Sequence, residues 1–451
     1  MLVDPLAISN PAERAKALQS TFTVAFGFGG LATLALFMRR QWHQEQIHEH
    51  DRRVAASTRF DVEQRRITEQ YIKAVEQLGH EKAAVRLGGL YALDRLGRNH
   101  PEQRTTIVEV WSAYLRRRYV PPSDLRTIST STSFNNEIAE TSVSDAQLDG
   151  AAAEEYEVRQ TAQRLITVHL KDPRKNNEHE HDRPLESETF WHLAHLDLTG
   201  ATLVDPDFSF CRIPANFKAI HAWFYGNTSF AGAYFEDEAH FYGARFEGFT
   251  SFNWMQANGI CMFGSSLFKE SAAFGQANFR GGCYLDGVRF LDDASFMRVQ
   301  FPMGASFVKA IFKKDASFNS VNVKGGMDFR AASFGYNHEE MIADEPRGFE
   351  HGLSMSHATL SGEIDFSDAE FHGPVWFREI NTRPKASPEE VPLPVEAKFA
   401  FGGAVAFAVE TEAFDGIKTV AVEDYTWPPS WRPLSQAGRW QLESTSDSEM
   451  T

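Results

Sequence analysis

Cysteine is scarce in this chain: its 451 residues contain only Cys211, Cys261 and Cys283. Three cysteines are too few for a disulfide framework, and their spacing does not match the paired ligands of a zinc site. Such sparse usage is typical of proteins in a reducing compartment. The sequence also lacks a phosphate-binding loop, a nucleophile elbow and a protein-kinase signature. These absences exclude a disulfide-stapled scaffold and remove the familiar sequence evidence for an enzyme.

Positive charge is also in short supply. The chain has 45 Lys and Arg against 61 Asp and Glu, a net charge of −16, which argues against a non-specific nucleic-acid-binding protein. The hydrophobic fraction of 42% rules out wholesale disorder and permits a large core. Phenylalanine is the compositional anomaly, with 37 copies, and these copies require a structural explanation.

Charged residues are absent from Ala17 to Met38, ALQSTFTVAFGFGGLATLALFM. As a helix this run measures about 33 Å, enough to cross a hydrocarbon core of about 30 Å. Preceding it, Asn10 and Pro11 have the pattern of a helix cap and first helical residue. We therefore predict a short tail over 1–16 and a transmembrane helix over 17–38, with the lipid bilayer as a partner. A cleaved signal peptide and a buried soluble helix are the alternatives.

Basic residues are concentrated after this run rather than before it. Arg39 and Arg40 follow directly, and only Arg14 and Lys16 precede it. By the positive-inside rule, we predict a single-pass protein of the cell membrane with the bulk of the chain in the cytoplasm.

The region over 39–118 is predicted to be a helical neck, because its apolar residues recur close to every 3.6 positions. Its first helix should end at Gly79, and its second before Pro101. A third helix should follow, and short helices of this kind resemble helical-hairpin repeats of the HEAT type. Residues 119–190 read as a linker that contains one helix, about 151–170.

Histidines cluster in two polar stretches, HQEQIHEHD with His48 and His50, and NNEHEHDRP with His179 and His181. Imidazole and carboxylate groups are good metal ligands, so metal binding is one hypothesis. Solvated charge is the interpretation we favour for such polar stretches. No metal site and no cofactor are therefore predicted.

Bulky residues recur with an eleven-residue period from Phe230 onward, in steps of five and then six. These steps fit neither a helix nor a strand. A small residue, Ala in most cases, stands two places before most bulky positions, and all three cysteines occupy that slot as small buried groups. The bulky positions are 230/235, 241/246, 252/257, 263/268, 274/279, 285/290, 296/301, 307/312, 318/323 and 329/334.

Such a pattern indicates a chain that turns a corner about every five residues. Four sides then close a coil of roughly 20 to 22 residues, and stacked coils pair backbone to backbone at about 4.8 Å. The interior would be filled by ladders of like side chains.

This repeat resembles the pentapeptide-repeat family, whose loose motif is Ala-(Asp/Asn)-Leu/Phe-x-x. LAHLDLTGATLVDPDF carries it around Leu198, Leu203 and Phe208, and ANFRGG and DAEFHG are further copies. The resemblance covers 191–380, with an insertion near 335–350, and implies a right-handed quadrilateral β-helix in an α+β protein. The six-residue steps and the preference for Phe depart from the family pattern. With its N-terminal segments, the chain is similar to membrane-anchored bacterial pentapeptide-repeat proteins.

The C-terminal part, 381–451, is predicted to be irregular. AKFAFGGAVAFAVE is interpreted either as a strand pair that caps the solenoid or as a last irregular coil. TWPPSWRPL, with Trp427 and Trp431, resembles a polyproline segment, and we expect it to dock on the solenoid.

Carboxylate pairs are the only candidates for chemistry in the repeat: Asp292 with Asp293, and Asp365 with Asp368. Paired carboxylates can perform acid–base catalysis, but at outward positions they more often form a solvated acidic face. We therefore predict no catalytic, cofactor-binding or metal-binding residue.

The predicted function is a non-enzymatic, membrane-tethered scaffold for protein–protein interaction, with an unidentified protein partner, a possible homodimer and no sequence-specific nucleic acid. As an alternative, the resemblance suggests a DNA mimic that inhibits or protects a type II topoisomerase. Lysines interspersed with the acidic residues, at 309, 313, 314 and 324, argue against such a mimic. An enzyme or effector site in the C-terminal part is a third hypothesis.

Overall fold

The structure is a computed structural model that describes residues 11–121, 150–173 and 187–335. It also describes the shorter stretches 352–360, 363–366, 369–371, 375–376, 398–400, 405–406, 431–436 and 439–444. By its internal contacts the chain divides into two units, residues 1–72 and residues 73–451.

A single helix, α1 (Pro11–Leu78), runs for 68 residues. It begins at Pro11 and ends at Gly79, whose amide donates to the carbonyls of Val75 and Glu76 at 3.2 and 3.1 Å. Both ends agree with the predicted start and stop. The helix is unbroken where we expected a span and then a separate neck helix, because no proline follows Pro11 within it to remove a backbone donor.

Within the described residues, no helix is both long and apolar enough to cross a membrane. The side chains of residues 23–32, in the middle of the predicted span, lie outside the described set. The transmembrane helix predicted over 17–38 is therefore not supported by the described residues and stays a prediction.

Three further helices pack together in the second unit: α2 (Ala83–Asn99), α3 (Arg104–Arg116) and α4 (Gly150–Leu170). A short 3₁₀ turn, Pro101–Gln103, separates α2 from α3. Their shared core contains fully buried side chains from each helix: Leu90, Leu93, Ile107, Trp111, Leu115, Val158 and Ile166. The helix that we expected inside a linker, α4, is thus one of three helices around a common core.

From His195 onward the chain forms a β-solenoid in which successive short strands join four parallel sheets, which we call faces 1 to 4 in chain order. Face 1 contains His195–Asp197, Asn216–Lys218, Glu238–His240, Cys261–Met262, Cys283–Tyr284, Ala305–Ser306, Met327–Asp328, Glu363–Asp365 and Lys398–Ala400. Face 2 contains Thr202–Val204, Trp223–Tyr225, Arg245–Phe246, Leu267–Phe268, Arg289–Phe290, Ile311–Phe312, Ser333–Phe334, Glu370–Phe371 and Val405–Ala406.

The other two sheets have fewer strands among the described residues. Face 3 contains Thr228–Ser229, Thr250–Ser251, Ala272–Ala273, Ala294–Ser295, Ala316–Ser317, Leu353–Ser354 and Val375–Trp376. Face 4 contains Arg212–Ile213, Tyr234–Phe235, Gln256–Ala257, Asn278–Phe279, Gln300–Phe301, Asn322–Val323 and Thr359–Leu360. Four sheets confirm the four-sided coil, while its right-handed sense stays a prediction.

The register shows the length of each coil. Thr250 pairs with Ala272, 22 positions later, as the doubled eleven-residue period predicts. Asn322 instead pairs with Thr359, 37 positions later, so the chain inserts extra residues and then returns to the same face. The extra residues fall between Phe334 and Leu353, the stretch that contains the insertion predicted near 335–350.

Phenylalanine ladders fill the interior. Rings of Phe230, Phe252, Phe274, Phe296 and Phe318 lie on successive coils with centroids 4.7 to 5.1 Å apart and nearly parallel planes. Neighbouring ladders meet edge to face, as between Phe263 and Phe274 at 5.8 Å. These rings are fully buried, so the inward positions inferred from the period are confirmed.

Two kinds of corner explain the alternation of five and six. The five-residue steps contain one residue in the left-handed region, and these residues recur every eleven positions from Phe210 to Ala331: 210, 221, 232, 243, 254, 265, 276, 287, 298, 309, 320 and 331. Glycine occupies three of these positions, and side chains occupy the other nine. Five-residue steps therefore form tight corners, while six-residue steps form wider ones.

The first strands of faces 1 and 2 are capped by side chains from the helices. The amide of Gln163 donates to the carbonyl of Val204 at 2.9 Å and accepts from its N–H at 2.9 Å. Arg116 donates to the carbonyl of Asp197 at 2.6 Å. These bonds satisfy backbone groups of an edge strand that would otherwise be open to another chain.

Two C-terminal segments also have a defined backbone. Lys398–Ala400 and Val405–Ala406 continue faces 1 and 2 in parallel, which confirms the last-coil interpretation over the capping strand pair. Trp431–Gln436 pairs with Arg439–Ser444 in an antiparallel hairpin. The polyproline interpretation is wrong from Trp431 onward, because these residues form a paired strand, and Trp427 lies outside the described residues.

Removing one ring from a ladder should strongly destabilise the solenoid. We expect Phe274→Ala to lower the free energy of unfolding by about 3–5 kcal/mol, because it removes a fully buried ring and leaves a cavity. Lys313→Ser, at an outward position, should change it by less than about 0.5 kcal/mol. Urea denaturation of both variants tests this, and equal losses would show that the inward register is wrong.

The tight corners provide a matched pair of substitutions. Gly287 and Ala331 occupy equivalent corners two coils apart, with φ of 64° and 55°. A Cβ on Gly287 would meet only Ser265 Oγ, at 3.8 Å, so Gly287→Ala should cost about 1–2 kcal/mol through backbone strain alone. Ala331→Gly should be neutral or stabilising. Thermal melts that rank the two variants in the opposite order would contradict this account.

Candidate interaction surface of the solenoid

The four faces differ in their outward side chains, although their inward positions are alike. Face 3 presents a ladder of small residues, Ser229, Ser251, Ala273, Ser295, Ser317 and Ser354. Face 4 presents amides on consecutive coils, Gln256, Asn278, Gln300 and Asn322. Face 2 alternates apolar and basic residues from coil to coil, and it also carries Glu247: the alternating column is Trp223, Arg245, Leu267, Arg289 and Ile311. The solenoid therefore presents surfaces of different chemistry around one uniform core.

The candidate carboxylates Asp292 and Asp293 lie at the corner between faces 2 and 3. Asp292 contacts Lys314 Nζ and accepts from Ser271 Oγ at 3.3 Å. Asp293 accepts from the N–H of Asp315 at 3.2 Å, and burial raises its pKa. Because an ion pair and a backbone bond hold these carboxylates, they act as corner supports within the described structure.

The second candidate pair is divided by the structure. Asp365 lies on face 1 beside Asp328 of the preceding coil, and Asp368 lies outside the described residues. Arg330 donates to Asp328 at 2.7 to 3.0 Å and lies 3.7 Å from Asp365. The Arg330 guanidinium therefore offsets the negative charge of both Asp328 and Asp365.

A groove of about 520 Å³ opens at the corner between faces 4 and 1. Glycine backbone forms its floor, because consecutive coils approach closely there: a Cβ on Gly281 would lie 2.3 Å from the Gly259 backbone. Tyr284 and Met303 line it, and Asp328 with Arg330 stands at one end. The pairing of these two charges leaves the groove without a free acid–base pair.

A buried histidine of α4 was not predicted to be important from the sequence. His169 of α4 bonds Asp94 of α2 through Nε2 at 2.6 Å and the carbonyl of Thr189 through Nδ1 at 3.1 Å. Its ring stacks on Trp191 at 3.6 Å. Both ring nitrogens are engaged and the side chain is fully buried, so His169 joins the elements of this unit and has no path to a substrate.

Hydrogen bonds control the charge of Asp94. Burial alone would raise its pKa, but the bonds from His169 and Arg98 outweigh that effect and hold the pKa below its usual value. The sequence offers no signal for this cluster, because residues 94 and 169 lie on helices far apart in the chain.

The three cysteines are buried and free. Cys261 and Cys283 occupy the same position on adjacent coils of face 1. Burial raises the pKa of each thiol, which suppresses the reactive thiolate. The slot predicted from the repeat therefore accounts for all three.

Among the described residues, no three or more His, Cys, Asp and Glu side chains form a group that could hold a metal ion. The side chains of His48 and His50, and all of His179 and His181, lie outside the described set. The described residues therefore test neither the hypothesis of metal binding at these histidines nor our prediction of no metal site.

Glu270, at the corner beside Asp292, should make stability depend on pH. Burial, and then the charge of Asp292, raises the pKa of Glu270 from 4.5 to about 7. Because the folded pKa is the higher one, its stabilising contribution is complete below the unfolded pKa and is lost as pH rises through about 7. We therefore expect Glu270→Gln to stabilise the protein at about pH 8 but hardly at about pH 4.

Chemical denaturation at both pH values measures this difference. Glu247→Gln is the control, because it removes a carboxylate that pairs with Lys269 at 3.1 Å and should give no such gain. A Glu270→Gln effect that is independent of pH would contradict the assignment.

One part of this solenoid matches a known protein family. Residues 274–322 match the family model described as pentapeptide repeats (9 copies). Comparisons with curated proteins and with solved structures gave no match. The matched residues lie within the four-faced coils described above, which carry the inward Phe ladders. Residues 274–322 are thus similar to pentapeptide repeats and lie within a β-solenoid, a fold consistent with a non-enzymatic repeat protein.

Proposed function

We propose that this protein is a non-enzymatic scaffold, tethered to the cytoplasmic face of a membrane, whose solenoid faces bind a protein partner. The observation that carries the scaffold proposal is the separation of roles within each coil. Inward positions are filled by stacked rings, and the outer carboxylates Asp292, Asp293 and Asp328 are held in ion pairs or backbone bonds. What remains for function is a series of flat, chemically distinct faces.

The tether is supported by the sequence and by exposed side chains of α1. The charge-free run 17–38 lies within one continuous helix. Near its end, Leu34, Leu36, Phe37 and Met38 are 56 to 64% exposed. Moving such side chains from water into lipid is favourable by about 25 cal/mol per Å² of apolar surface.

The DNA-mimic alternative gains less support. A mimic needs an uninterrupted acidic array in place of phosphates, whereas Lys314 contacts Asp292 and Arg330 bonds Asp328. Inhibition of a gyrase that disappears when Asp292, Asp293 and Asp315 are neutralised would favour the mimic over the scaffold.

Membrane fractionation tests the tether. We expect the full chain to stay in the membrane fraction after high-salt and alkaline washes, since the apolar run would be exposed to water on release. A variant with Phe26→Arg and Phe28→Arg should be released, because both positions lie near the centre of the run 17–38, where a charge costs about 2.5–3.5 kcal/mol per residue. An Arg298→Ser variant, at an exposed position between faces 3 and 4, is the control and should stay.

The location of the C terminus tests the orientation. A reporter fused after Thr451 should behave as cytoplasmic. Release of the unmodified chain by the washes would overturn the tether, and an extracytoplasmic reporter would reverse the orientation.

A further inference from the structure

Face 2 carries two cations without a carboxylate partner. On this sheet Phe268, Phe290 and Phe312 point inward, so the residues that flank them point outward. Lys269 pairs with Glu247 at 3.1 Å. Arg289 and Lys313 form no ion pair with any described residue, although the chain as a whole carries a charge of −16.

Aliphatic side chains lie between these cations. Leu267 and Ile311 flank Arg289 on adjacent coils, by the register of the sheet. Leu291 follows Phe290 and is likewise outward. Adjacent coils are spaced about 4.8 Å apart, so cationic and aliphatic groups alternate over a flat surface of several coils.

Aromatic rings extend this surface toward the first coils. Trp223 and Tyr225 stack at 5.7 Å, and the Arg245 guanidinium lies 4.3 Å over the Trp223 ring. Trp and Tyr are the side chains enriched at the boundary between lipid and water. Basic side chains with apolar stems likewise reach toward headgroups while their stems stay in apolar surroundings.

The two edges of face 2 differ in charge. The edge toward face 1 carries Lys309 and Arg330 with Asp286. The edge toward face 3 is more acidic, with Glu270, Asp292, Asp293 and Asp315 against Lys314. A negatively charged surface would therefore contact face 2 and its edge toward face 1 more closely than the acidic edge toward face 3.

We propose that face 2, from Trp223 to Lys313, lies against the anionic phospholipid headgroups of a bilayer. Nucleic acid would match the cations but not the half-buried Leu267, Leu291 and Ile311, and a bound peptide strand would need a groove or an open edge. A bilayer surface offers both anionic headgroups and an apolar layer beneath them. The proposal is independent of the tether, because all its contacts are made by the coils.

Single labels on opposite faces of the full chain provide the test. Leu291→Cys on face 2 and Gln300→Cys on face 4 would each carry an environment-sensitive fluorophore, while the native cysteines are buried. Vesicles would contain phosphatidylcholine alone, or phosphatidylcholine with phosphatidylglycerol, with brominated chains as a quencher. We expect the label at 291, but not at 300, to shift to the blue and be quenched, and only with phosphatidylglycerol.

Charge reversal provides the matched comparison. Arg289→Glu with Lys313→Glu should weaken the affinity for the vesicles, measured with the label at 291, by about thirtyfold or more. This figure follows from about 1 kcal/mol per basic residue near an anionic surface. Arg298→Glu with Lys324→Glu, away from face 2, changes the net charge equally and should leave the response intact. Circular dichroism of each variant confirms that it is folded.

Three outcomes would overturn the proposal: equal responses at 291 and 300, a response that is independent of phosphatidylglycerol, or equal losses in both charge-reversal variants. A response at 291 to poly-glutamate or duplex DNA, without one to vesicles, would assign the face to another anionic partner. Co-sedimentation of the chain with vesicles is measured separately from the fluorescence of the label. A chain that sediments while its 291 label stays in water disproves this inference and leaves the tether standing.

Discussion

The stacking of phenylalanine rings from coil to coil is the constraint on which the structure depends. Rings such as Phe252 and Phe274 lie 4.9 Å apart, which matches the spacing of hydrogen-bonded parallel strands, about 4.8 Å. A ring can therefore stack on its equivalent only if the backbone returns to the same place after each coil. Any change in coil length would shift later rings out of the ladder. The pairing interval after Phe334 is 37 positions instead of 22, and the ladder nevertheless resumes at Phe366, 4.8 Å from Phe329.

This constraint also explains the corners. Tight corners need one left-handed residue, which costs a non-glycine residue about 1–2 kcal/mol. Residues as large as Phe210 and Trp254 nevertheless occupy these positions. The burial of a Phe ring contributes roughly 1.5–3 kcal/mol, and each tight corner lies between two inward positions, at least one of which is Phe. Packing therefore outweighs backbone preference, and glycine is obligatory only where coils nearly touch, as at Gly281.

The period of the sequence was enough to predict the solenoid, its inward positions and the insertion, because a ladder imposes the same residue class on every coil. It did not predict the tight corners, since residues as different as Phe210 and Lys309 occupy them and leave no compositional signal. The His169–Asp94 bond was likewise invisible, because it depends on how α2 packs against α4. The carboxylates Asp292 and Asp293 were found from the sequence, but their partner Lys314 lies on the next coil, and only the register brings it to them.

Because the ladders carry stability, the outward residues can vary from coil to coil at little cost to the fold. Most surface substitutions in proteins change stability by less than about 0.5 kcal/mol, so a consistent chemistry along one face needs another explanation. On faces 3 and 4, serine and amide ladders have such an explanation, since small and hydrogen-bonding side chains stack well between strands. On face 2 no such explanation applies, because Arg289 and Lys313 form no ion pair with any described residue and lie on the outer side of the sheet, away from the stacked rings. Face 2 is therefore the surface whose composition is best explained by something outside the chain.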